Sequence, residues 1–211
     1  MPDSTAARAF QPRHLQLARA LFAVIAAVMI TFSPDHSASV GLSVFSGFAI
    51  ASALALLLAA WLVFPQGQRA LPLTLGVLSA LAGMAAGIPA LRSIGLFFGV
   101  VIAWALITGL FEGIAGLRAL RRFPPGSVAR SEARDASTVG AIGVLFGLGL
   151  LLVPTQYALR YYIDDADQSF TLTGITIGVG LLGAYAAIVG VYLAIAAFSP
   201  RRDAPAAEVQ P

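Results

Sequence analysis

Glu112 stands as the only formal charge at depth in the apolar stretches of this chain, with Arg19 counted among the flanking charges. An ionisable side chain at membrane depth is a functional hypothesis by default, here a proton or partner site. It lies six residues before Arg118, about 9 Å of helical rise. The plainer reading is therefore a carboxylate near the headgroups that pairs with an Arg such as Arg118 or Arg69. Trp104, Thr108 and Gly109 precede Glu112 at helical spacing, with Trp104 packing between helices as its simpler role. Arg118, Arg121, Arg122, Arg130 and Arg134 form a basic cluster that could take anionic lipid headgroups or a protein partner. Orientation of the chain alone also accounts for it.

Other chemistry is poorly provided for. There is no cysteine, which excludes disulfides, thiol catalysis and thiolate metal sites. No serine elbow, His-Glu-x-x-His, phosphate loop or paired intramembrane carboxylate occurs, and no His falls inside an apolar run. The sequence therefore points to no enzyme, no cofactor and no metal. Asp35 and His36, with Asp164, Asp165 and Asp167, form a further ionisable set, and solvated loops explain them most simply.

The elements that must position these residues are membrane spans. Hydrophobic residues make up 58% of the chain and charged ones 11%, too little charge to keep a surface wet. Six apolar runs, at about 15–32, 40–64, 70–88, 94–117, 138–153 and 170–198, have the length of spanning helices. Only helices and closed barrels satisfy the backbone in lipid. The fold class is thus an all-α membrane protein, with arms 1–14 and 199–211 outside it. A basic start before an apolar run also describes a signal peptide, with Ser37-Ala38-Ser39 as a poor cleavage site, but the run is long for one.

All 13 basic residues are Arg. With both termini placed in the cytoplasm, eleven lie inside, the cluster above joined by Arg8, Arg13, Arg19, Arg69, Arg201 and Arg202. Only Arg92 and Arg160 lie outside, a strong positive-inside bias. The basic character is thus an orientation signal, without the aromatic interleaving of a nucleic-acid groove. The partners it implies are membrane lipids, a homo-oligomer or another membrane protein, and no nucleic acid.

The runs also repeat as three degenerate helical hairpins. The first helix of each ends at a Pro: Pro34, Pro89 and Pro154. The returning helix carries an aromatic residue at comparable depth, Phe48, Trp104 or Tyr185. Pairs follow at Ser52-Ala53, Thr108-Gly109 and Val189-Gly190, which suggests a parallel triplication about a pseudo-threefold axis. Small residues four apart, such as Gly109 with Gly113 and Gly143 with Gly147, favour close helix packing. Trp61, Tyr157, Tyr161 and Tyr162 fall at span ends as an interfacial aromatic belt.

The stretch Trp104-Ala105-Leu106-Ile107-Thr108-Gly109-Leu110-Phe111-Glu112-Gly113-Ile114, followed by Ala119-Leu120-Arg121, resembles the HdeD-like family of bacterial acid-resistance membrane proteins. Leu75-Gly76-Val77-Leu78 and Gly87-Ile88-Pro89 extend the resemblance to the preceding helix, and it covers most of residues 15–198. It implies a six-helix protein of the bacterial plasma membrane, linked to acid or envelope stress tolerance, with no catalytic residue to carry over. A small channel or transporter using Glu112, or an accessory subunit of a larger complex, are the alternatives. The long loop 156–169 and the Arg/Pro-rich loop depart from the family pattern.

Overall fold

The computed structural model describes residues 11–164 and 167–199. Arg8 and the rest of the arm before Gln11, Asp165, and the tail with Arg201 and Arg202 lie outside the described residues. Six helices cross the fold: α1 Pro12–Thr31, α2 Ala38–Leu62, α3 Ala70–Gly87, α4 Ile94–Leu120, α5 Val128–Leu151 and α6 Gly174–Phe198. All six are long and apolar enough to span a bilayer. Large apolar side chains such as Leu54, Leu81, Leu145 and Ile195 point outward on them, an exterior suited to lipid. The chain is a six-helix membrane protein.

Local sequence sets where each helix begins and stops. Ser37, Ser93, Ser127 and Thr173 each accept the backbone N–H three residues on, capping α2, α4, α5 and α6. Pro12 sits in the first turn of α1, where its missing N–H costs nothing. Prolines 34, 65, 89, 124 and 154 follow the helices they stop. Gly126 alone among the described glycines has a left-handed φ, of 82°, and turns the chain between α4 and α5.

The bundle is a ring in chain order. The most extensive pairings are α1 with α6, α2 with α3 and α4 with α5, and the hairpin pairs α1–α2, α3–α4 and α5–α6 close the gaps. Tight and looser contacts thus alternate three times, the pattern of a pseudo-threefold arrangement, with α2, α4 and α6 turning faces inward. Small residues permit the tight pairings. On α1, Ala20, Ala23, Ala26 and Ala27 are buried. At α4–α5 a Cβ on Gly109 would lie 2.9 Å from both the Gly140 carbonyl oxygen and the Val144 nitrogen. Gly95 and Gly99, also four apart on α4, have no such role, because a Cβ on Gly99 would meet nothing within 4 Å.

Three helix starts differ from the sequence expectation by three residues or more. Helix α5 starts at Val128, ten residues before the apolar run, so much of the anticipated polar loop is helical. Its 24 residues span about 36 Å, more than the roughly 30 Å hydrocarbon core, and its polar first turns ride beyond the lipid. Helix α1 likewise begins at Pro12 rather than Leu15, where the His14 ring accepts the Gln11 N–H at 3.1 Å.

The third difference is the loop 156–169, which folds with the start of the last run into an antiparallel hairpin. Strand β1, Ala158–Ile163, pairs with β2, Gln168–Thr173, and α6 begins only at Gly174. Near the hairpin tip Tyr162 donates to the Asp167 carboxylate, which pushes the phenol pKa above its ordinary value. Tyr162 therefore engages the acidic tip.

Candidate functional site

The three inward helices bring together the residues that the repeat places at equal depth. Trp104 of α4 meets Phe48 of α2 at 5.8 Å between ring centroids and Tyr185 of α6 at 6.0 Å, both edge to face. Phe45 adds a third edge contact on Trp104 at 5.2 Å, and Phe146 of α5 stacks on Tyr185 at 4.5 Å. Edge-to-face pairs suit the ring quadrupoles and contribute about 0.5–1.5 kcal/mol each beyond burial. The Trp104 indole N–H donates to the Ser79 hydroxyl of α3 at 3.0 Å, so its polar edge is satisfied. This aromatic cluster fills the centre of the bundle.

One and two turns further along lies a small polar cavity. The series Phe48-Ser52-Leu56, Trp104-Thr108-Glu112 and Tyr185-Val189-Leu193 line it from three sides, each spaced by four residues. Arg19 and Ser79 complete its polar lining. The free volume is only 30 Å³, room for about one water. Thr108 hydrogen-bonds back to the Trp104 carbonyl at 2.6 Å, which satisfies its hydroxyl inside the helix.

Glu112 is buried, and its partner is neither Arg118 nor Arg69. Arg19 of α1 grips it in a fork, Nη1 to Oε1 at 2.6 Å and Nη2 to Oε2 at 3.0 Å. Two parallel charge-assisted bonds are the strongest form of this pair and fix its geometry. Arg69 instead stacks on Trp61 at 4.8 Å and caps the Phe64 carbonyl, while Arg118 is exposed. Arg19 therefore belongs with the site and not with the flanking charges. Its signal in the sequence was its position, five residues into the first apolar run, where a lone charge needs a counter-ion.

A second buried carboxylate, Asp135, falls between the apolar runs 94–117 and 138–153 in the sequence. It lies on α5 and accepts from the Tyr192 hydroxyl of α6 at 3.1 Å and from the Gln16 amide of α1 at 3.4 Å. Gln16 and Arg19 sit three residues apart on one face of α1. That face ties the first span to α5 and α6 through one residue and to α4 through the other.

The basic cluster divides. Arg118, Arg121, Arg122 and Arg134 are exposed. Arg130 donates to the carbonyls of Leu120 and Phe123, closing the α4–α5 turn, and so serves the fold. Gly109 serves the fold too, at the α4–α5 crossing. Glu112, Trp104 and Thr108 converge on the cavity. The chain matches no family model, no curated protein and no solved structure.

Proposed function

We propose that this chain is a non-enzymatic and non-conducting protein of the bacterial plasma membrane that supports acid or envelope stress tolerance, as its resemblance to the HdeD-like family implies. The observation that carries the non-conducting part is the axis itself. Aromatic rings occupy the bundle centre, and the polar cavity beside them has room for about one water. Glu112, the side chain best suited to proton chemistry, has both oxygens engaged by Arg19 and acts as a structural counter-ion. What is left to act is the outer surface, through lipid contact and the exposed arginines.

One observation favours the second reading, a small channel or transporter: Ser52, Thr108 and Glu112 do line a common cavity. Purified protein in liposomes decides between the two. Under an imposed proton or potassium gradient, flux equal to that of protein-free vesicles is the expected result. Flux in the wild type that Glu112→Gln abolishes would establish the transport reading instead. The stress role has a separate readout, survival of a deletion strain after acid challenge. Reduced survival restored by the intact gene is expected, and unchanged survival would remove that role.

The orientation we propose, both termini cytoplasmic, rests on the arginine bias. Since the chain has no cysteine, single cysteines report cleanly on sidedness. In intact cells Asp164→Cys should react with an impermeant maleimide, and Arg122→Cys should react only after lysis. The opposite pattern would invert the topology.

A further inference from the structure

The β1–β2 hairpin has two unlike faces. Its register pairs Leu159 with Leu172 and Tyr161 with Phe170 on one side, and Arg160 with Thr171 and Tyr162 with Ser169 on the other. Tyr161 and Phe170 stack at 5.9 Å between centroids, so the first face is an apolar and aromatic strip from its root to Phe170, with Gln168 beyond it at the tip. Leu159, Tyr161 and Phe170 on that strip are nonetheless exposed. An isolated two-stranded hairpin is marginal in water unless something covers its apolar face.

The root of the hairpin shows what lies within reach. Thr173 ends β2 and Gly174 begins α6 with no linker, while the backbone of Gly174 packs on the Pro154 carbonyl just beyond α5. Gly174 also donates its N–H to the Tyr157 carbonyl at 2.9 Å, fastening both strands at the level of the helix ends. Each six-residue strand is about 20 Å long and rises from this root, so the strip starts where the spans of α5 and α6 end. Leu151 and Leu152, at the end of α5, are exposed apolar residues beside that root. Exposed apolar side chains therefore run from the end of α5 to the strip, on either side of the root. Tyr and other aromatic side chains partition to the bilayer boundary, where one edge meets hydrocarbon and the other meets headgroups. Arg160 and the Tyr162–Asp167 pair occupy the opposite, wet face.

We propose that the hairpin is a membrane-surface anchor, its Leu159–Tyr161–Phe170–Leu172 face embedded among the headgroups of the leaflet from which α5 and α6 emerge. The occupant is the lipid surface of the same membrane.

Neighbouring positions on opposite faces test this. The full-length protein carrying Phe170→Cys or Thr171→Cys is labelled with a nitroxide and reconstituted into vesicles of phosphatidylcholine and phosphatidylglycerol. Collision with dissolved oxygen and with a water-soluble nickel chelate is then measured. Position 170 should show an oxygen-to-nickel ratio several-fold above that of position 171. Leu159→Cys against Arg160→Cys repeats the comparison on β1 should either label at 170 or 171 disturb folding. Equal, nickel-accessible values on both faces would place the hairpin in water and overturn the proposal. Low accessibility to both reagents at 170, with label-to-label broadening, would assign the face to a second copy and overturn it equally.

Discussion

Replacing Arg19 by Met should be among the most destabilising single side-chain changes in the bundle. Removing one partner of a buried pair leaves the other charge unpaired, at about 3–5 kcal/mol. In a chain of this size that lowers the unfolding midpoint by on the order of 10 °C. The remaining Glu112 is buried beside Thr108, Ser52 and apolar side chains, with little else to receive it. The informative variant is the double one, Arg19→Met with Glu112→Met. Apolar replacement of both members is often neutral or stabilising, so the double variant should regain most of the lost midpoint. Thermal unfolding in a mild detergent reads all three proteins. A single variant as stable as the wild type would show that the fork contributes nothing across the bundle, and a double variant worse than the single would show that the charges themselves are required.

The second large effect is expected at the α4–α5 crossing. A Cβ on Gly140 would strike the backbone nitrogen and Cα of Gly113 and the carbonyl of Gly109, and backbone cannot rotate aside. Gly140→Ala should force the two helices apart and lose about 3 kcal/mol, the upper end of the usual overpacking range. Gly99→Ala is the matched control. Its Cβ meets nothing within 4 Å, so only helix propensity changes, and that favours Ala by up to about 1 kcal/mol. Opposite signs for the same chemical change are the prediction, read by the same detergent melts. Equal effects at the two positions would mean that the α4–α5 contact is looser than this geometry.

The pattern of what could be read in the sequence follows from these contacts. The spans were legible because hydropathy integrates over a whole helix, and Phe48, Trp104 and Tyr185 were legible because a repeat fixes depth. Arg19 was harder, because a charge five residues into an apolar run resembles a flank until its partner, 93 residues away, is located. The start of α5 was hidden for a related reason. Arg130, Glu132, Arg134 and Asp135 lower the local hydropathy, although Ser127 supplied a visible cap. The hairpin did leave a trace, the period-two alternation of Leu159, Tyr161 and then Phe170, Leu172. It was masked by the three acidic residues between them, which read as open loop.

The ring order of the helices also has a consequence for how the protein is made. Helix α1 packs most extensively against α6, made after the other five spans. Until then the first span has its lesser neighbour α2 and, once α4 is inserted, the Glu112 carboxylate as partner for its guanidinium at position 19. The other two tight pairs, α2–α3 and α4–α5, join consecutive spans and can form as synthesis proceeds. Insertion therefore yields two finished hairpins flanked by two unmated helices. The final event among the six spans is the docking of α6 on α1, and any product that stops short of α6 leaves the apolar seam along α1 open for membrane quality control to recognise.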